Sequence, residues 1–119
     1  MKRTLIIGAS NNPERYAYKA AERLLQYGHE IELLGLRNDS VFGQVIDTEK
    51  KAFENIDTVT MYVGPQRQDE YFDYSISLKP KRVIFNPGTE NPNFEALLAK
   101  NNIESEIACT LVLLGTGQY

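Results

Sequence analysis

The chain has 119 residues, 42% hydrophobic and 24% charged, the composition of one folded domain rather than of a disordered segment. Against 16 Asp and Glu stand 13 Lys and Arg, so the net charge is -3 and the basic excess of a nucleic-acid binder is missing. A single Cys and a single His exclude an intramolecular disulfide, a cysteine zinc site and a multi-histidine metal centre.

Thr4 to Gly8 is a short apolar run ending in glycine and predicts a buried strand. Asn11, Asn12 and Pro13 break it and predict a helix start, with Pro13 near the first turn. Ala17, Ala20, Ala21, Leu24, Leu25 and Gly28 then recur at helical spacing, and small alanines let such a helix lie close to a sheet. Glu30 to Leu36 reads as a second strand. These 36 residues form the opening strand–helix–strand unit of a parallel sheet. Val41 to Ile46, interrupted by Gly43, reads as a short irregular strand. Lys50 to Asn55 reads as a short helix, and Thr58 to Val63, rich in β-branched residues, as a strand. Arg67 to Lys79 predicts an amphipathic helix stopped by Pro80. Arg82 to Phe85 predicts a strand, Pro92 to Asn101 a helix capped by Asn91, and Ile103 to Ala108 a last strand. Thr110 to Leu114 is too short to assign to strand or helix. The alternation implies a single α/β domain over residues 1–119, an open, mainly parallel sheet of about five strands with helices on both faces.

Ligands of such sheets bind beyond the C-terminal ends of the strands, where the strand order reverses. Four segments fall there. Gly8-Ala9-Ser10-Asn11 precedes a helix start and suits phosphate, with Arg15 just beyond, although only Gly8 matches a dinucleotide fingerprint well. A plain capped turn is the alternative. Arg37 stands after the second strand, where a nicotinamide dinucleotide with a free ribose diol would want an acid. A guanidinium there fits a phosphorylated ribose, as in coenzyme A or NADP. Tyr62, Gly64 and Pro65 follow the next strand and are placed to line an adenine or pantetheine groove, with Tyr62 equally suited to the core. Asn86 and Gly88 lie in a polar loop leading to another helix. No catalytic constellation is visible. His29 falls at the opposite end of the sheet, and Cys109 has apolar neighbours that predict a buried, unreactive thiol.

In this order and spacing the segments resemble the small stand-alone bacterial CoA-binding proteins, relatives of the CoA-binding domain of the succinyl-CoA synthetase α subunit. The residues that carry the resemblance are Gly8-Ala9-Ser10 with Asn12-Pro13-Glu14-Arg15, Tyr27-Gly28-His29-Glu30, Arg37, Phe42-Gly43, Gly64-Pro65, Gly88 with Pro92 and Phe94, and Cys109. The resemblance implies a Rossmann-like nucleotide-binding domain that holds coenzyme A, without a metal and without catalytic machinery. Many members carry an arginine where Val63 stands and Asp-Arg where Ile107-Ala108 stand. An NADP-type oxidoreductase and a ligand-free interaction protein on the same scaffold are the alternatives. The expected setting is cytoplasmic, with a small-molecule nucleotide as partner, no nucleic acid, no membrane, and a homodimer as an open option. Leu5 to Ile7 is too short for the apolar core of a signal peptide.

Overall fold

The computed structural model describes residues 2–119. Five strands form one parallel sheet: β1 (Thr4–Ile7), β2 (Ile31–Leu34), β5 (Thr58–Met61), β6 (Arg82–Phe85) and β7 (Glu104–Ile107), in the order β2-β1-β5-β6-β7. The order reverses between β1 and β5, so the expected crevice opens above their C-terminal ends. Every residue of β1, β5 and β6 is buried, as befits strands covered on both faces.

The two faces divide the core. Leu5, Ile7, Val59, Met61, Val83 and Phe85 point to one side, where Phe94 and Leu98 of α3 (Pro92–Lys100) cover them. Phe94 is fully buried, edge-on to Phe85 at 5.5 Å and stacked on Phe72 at 4.4 Å. Ile6, Ile31 and Leu33 point to the other side, against Ala17, Ala21 and Leu24 of α1 (Tyr16–Gln26) and Leu114 of α4 (Thr110–Gly115). The alanine stripe thus does what its spacing predicts. The segment left open, Thr110 to Leu114, is helical and closes this second face. No helix among the described residues is long and apolar enough to cross a membrane.

Four local expectations are corrected. α1 begins at Tyr16 rather than near Pro13, because the Asn12 side chain accepts from Glu14 N–H at 3.0 Å and its carbonyl accepts from Arg15 N–H at 3.0 Å. An asparagine that bonds its own backbone competes with helix. The irregular strand is a hairpin, β3 (Asp39–Val41) antiparallel to β4 (Gln44–Ile46), turning on Phe42 and Gly43 at φ 52° and 76°. Two positive φ values mark the tight turn that matches strand twist. The hairpin lies along the sheet edge beside β2, held by Asp47 N–H to Leu33 O at 2.9 Å and Gly35 N–H to Asp47 O at 2.8 Å. Residues 50–55 are not helical; Lys51 and Phe53 N–H bond two residues back, to Glu49 and Lys51 carbonyls. The helix expected over 67–79 is two 3-10 turns, Pro65–Arg67 and Asp69–Tyr71, followed by α2 (Phe72–Ser77). Gln68 causes the break: it is fully buried, and its amide donates to the carbonyls of Val63 and Thr89 at 2.8 and 2.7 Å.

At the N-terminal end of the sheet, His29 Nδ1 accepts from Lys2 N–H at 3.1 Å and its ring packs on Tyr119 at 4.9 Å. Partial burial, with Lys2 and Arg82 nearby, holds the imidazole pKa below its ordinary value. The unfolded chain therefore binds this proton more readily. The His29 contribution to stability is full above about pH 6.5 and lost as pH falls through the lowered folded pKa. Denaturation across pH 5–7 is expected to show a decline that His29→Gln flattens; parallel curves would contradict this.

Candidate functional site

Three backbone segments meet over the switch between β1 and β5. Gly8 and Ala9 N–H both donate to Leu34 O at 2.9 Å, and Tyr62 N–H donates to Ile7 O at 2.9 Å. These bonds lace the loop after β1 to the ends of β2 and β5. Gly8 sits at φ +95°, and a Cβ there would stand 3.0 Å from the backbone carbon of Tyr62. Both facts require glycine, and the reason is packing against β5. The Gly8 amide is already spent on Leu34, so any donor to an anion must come from further along the loop. Gly8→Ala is expected to cost about 2 kcal/mol of stability, read by urea denaturation; an unchanged midpoint would contradict the close approach.

Further along, donors are free. Ser10 Oγ accepts from Asn12 N–H at 3.0 Å and shapes the turn, while no acceptor takes the N–H of Ser10 or Asn11 among the described residues. α1 begins at Tyr16, five residues beyond Asn11. It has no side-chain cap and no acidic residue in its first turn, although Glu14 stands just before its N-cap, so no side chain is hydrogen-bonded to its free N–H groups. Arg15, at its N-cap, is exposed and makes no ion pair among the described residues. The same holds for Arg37 at the end of β2, beside Leu36, which is 72% exposed.

The loop after β6 behaves differently. Pro87 and Gly88 form a turn closed by Thr89 N–H to Asn86 O at 2.9 Å, with Gly88 at φ +89°. Gly88 N–H is taken by Glu90 Oε1 at 2.9 Å. Asn91 caps α3 by accepting from Phe94 N–H at 3.1 Å, and Glu95 Oε2 accepts from Asn91 N–H at 3.2 Å. Three N–H groups of this loop and helix start, those of Gly88, Asn91 and Phe94, are taken by the protein's own side chains. Three α-helices start at this end: α3 is capped by Asn91, the first N–H of α4 goes to Asn86 Oδ1 at 2.9 Å, and α1 receives no side-chain bond among the described residues.

Asn86 is 2% exposed, and all of its side-chain capacity in the structure is internal. Its Nδ2 donates to Thr60 Oγ1 at 2.7 Å and Met61 O at 2.9 Å, and its Oδ1 accepts from Thr110 N–H at 2.9 Å. Thr60 and Thr110 hydroxyls bond at 2.8 Å. Beside it, Asn91 Nδ2 donates to Gln68 Oε1 at 3.0 Å. The network ties the exits of β5, β6 and β7 into one rigid floor. Tyr62 turns its ring into the α1–α4 face; its buried hydroxyl has no partner, and burial raises its pKa. Gly64 opens the first 3-10 turn, with Pro65 half-buried behind it. Cys109, expected to be buried, is only half-buried; it is the N-cap residue of α4. No group of three or more His, Cys, Asp or Glu gathers among the described residues.

Sequence reasoning missed Gln68 and the Thr60–Thr110 pair, and gave Gly35, in the segment after β2, no role of its own. Gly35 had a readable signal, since it follows an apolar strand directly. A Cβ on it would lie 2.6 Å from Ala9 O and 2.9 Å from Ile46 Cγ2. It is the contact point of the first loop, β2 and the hairpin. Two surface clefts, of about 280 and 620 Å³, lie at the opposite end, where Lys79 faces both. The larger mixes Glu54 and Asp57 with Arg3 and Lys81, so it offers no net charge to a phosphate.

A family model described as "CoA binding domain" matches residues 2–115. No curated protein matches the chain. A crystal structure titled "uncharacterized protein" is 51% identical, with a TM-score of 0.98, over 100% of this chain and 98% of that one. A cell-free-expressed protein from Thermus thermophilus superposes at TM-score 0.86 with 20% identity, over 99% of this chain and 90% of that one. Prb, the PH1109 protein redesigned for binding, superposes at TM-score 0.86 with 21% identity, over 98% and 82%. The last two share the fold.

Proposed function

The chain belongs to the CoA-binding domain family, and on that premise we propose that it binds coenzyme A or an acyl-CoA at the C-terminal end of the sheet. The observation that carries the placement is the start of α1. It is uncapped, carries no first-turn acid, and follows by five residues the two unspent amides of Ser10 and Asn11, whereas α3 on the other face is capped by Asn91. An uncapped helix N-terminus is an anion site by the physics of its free N–H groups and dipole.

The residues present fit such a ligand. The amides of Ser10 and Asn11 and the first turn of α1 would hold the pyrophosphate, with Gly8 and Ala9 fixing the loop. Arg15 and Arg37 would meet its charges. Arg37 is the residue for the ribose phosphate, because a guanidinium offers donors in a fork that suits phosphate oxygens. Gly64 and Pro65 would line the groove for the organic part, Tyr62 would back it from the core, and Asn86 and Gly88 would act by shaping its floor and rim.

Coenzyme A carries a 3′-phosphate that dephospho-CoA lacks. A charge-assisted contact contributes about 1.5–3 kcal/mol, so calorimetry is expected to show coenzyme A binding more than about tenfold tighter. Arg37→Ala should remove that preference and leave dephospho-CoA affinity nearly unchanged. Equal affinities in the unmutated protein would return Arg37 to an ordinary solvated cation. NADP, if bound, should outcompete NAD for the same reason.

A further inference from the structure

We propose that Asp39 is a specificity residue of this rim, a carboxylate that opposes phosphate where Arg37 attracts it. The inference rests on the coenzyme A reading above and concerns which form of the ribose the rim favours. The end of β2 reads in sequence as cationic. The hairpin changes this, because β3 starts at the same end of the sheet and brings its first residue against the loop after β1. Asp39 Oδ2 accepts from Asn11 Nδ2 at 2.6 Å, across 28 residues of chain, and Oδ1 accepts from Ser40 N–H at 2.8 Å. No cation pairs with Asp39 among the described residues, whereas nearby Asp47 is paired with Lys51 at 2.8 Å. Its charge is exposed, uncompensated and in contact with Asn11, whose own amide is one of the free donors.

Two effects follow. The hydrogen bond fixes the Asn11 side chain, and with it the most exposed residue of the loop. The charge acts on any anion that comes to that loop or to Arg37. A phosphate roughly 7 Å away in a water-like medium would have its equilibrium constant changed by about threefold for each pair of like charges. A ribose phosphate near −2 is therefore disfavoured by about threefold to tenfold, and a hydroxyl at the same place is not. Asp39 thus moderates the preference that Arg37 creates, and does so only while salt leaves the charge unscreened.

Asp39→Asn separates the two effects, since its side-chain oxygen still accepts from Asn11 while the charge is gone. Affinities for coenzyme A and dephospho-CoA would be measured by calorimetry at low and at high salt. The ratio is expected to rise by about threefold to tenfold in D39N at low salt and to return towards the unmutated value at high salt. D39N should also strengthen both ligands in common, because the pyrophosphate loses a like charge beside Asn11; D39A should raise the ratio equally, with that common gain offset by a loss from the released Asn11. An unchanged ratio in D39N, with both ligands still bound, would overturn the role of Asp39. Binding of neither ligand to the unmutated protein would overturn the coenzyme A reading itself, and the role of Asp39 with it.

Discussion

Asn86→Ala is expected to lower the stability of the domain by about 3–5 kcal/mol. The substitution removes three hydrogen bonds at once. Thr110 N–H and Met61 C=O both lose their side-chain partner. A buried polar group without a partner costs about 1–3 kcal/mol, and the truncated side chain leaves a void besides. The Thr60 hydroxyl keeps Thr110 and is spared. Because the lost bonds join β5, β6 and α4, the damage should spread over the floor of the mouth rather than stay local. Urea denaturation checks this directly: the midpoint should fall with the slope unchanged. A loss below about 1 kcal/mol would mean that water replaces the amide freely and that the floor is softer than its bonds imply.

Gly35→Val is the second large effect, expected at about 3 kcal/mol or more. The first side-chain carbon would overlap the Ala9 carbonyl oxygen and the Ile46 side chain. Neither is the free end of a flexible chain. Ala9 is held by its N–H to Leu34 O, and Gly35 itself donates to Asp47 O. Relief therefore requires the loop after β1 and the hairpin to move apart, breaking those bonds. The variant should melt well below the unmutated protein, and any residual folded population should lose its response to coenzyme A. A variant of unchanged stability would show that the loop and the hairpin are not in the contact described.

Most of the sheet was legible because its signals are local. β1, β2, β5 and β6 are short apolar runs between turn residues, and the stripe from Ala17 to Leu24 has no reading other than a buried helix face. Two of the errors share a cause, a side chain that bonds backbone: Asn12 in its own turn and Gln68 at distant carbonyls. Gln68 looks like one polar residue of an exposed helix until Val63 and Thr89 claim it. Phe42 is an unusual residue at positive φ, and the contact of its ring with Tyr18 at 4.9 Å lies outside its own segment.

The site was legible in part for the same reason. The topology rule placed Gly8, Ser10, Asn11, Arg15 and Arg37 at one end of the sheet, and they stand there. It could not tell a spent donor from a free one. The Gly8 amide belongs to Leu34, so the donors of that loop begin at Ser10. Asn86 lies in the loop after β6, and both ends of its amide are bound inside the fold. Asp39 carries no signal in its own segment, because only the folding of the hairpin brings it to Asn11.

The most direct test is a titration of isotope-labelled protein with coenzyme A, followed by the backbone amide resonances. Coenzyme A is expected to give saturable shifts concentrated at Ser10 to Ala17, Leu36 to Asp39 and Gly64 to Arg67, with the amides around Arg3, Glu30, Asn55 and Lys81 unmoved. Saturable shifts confined to that opposite end, or none at any coenzyme A concentration, would contradict this expectation.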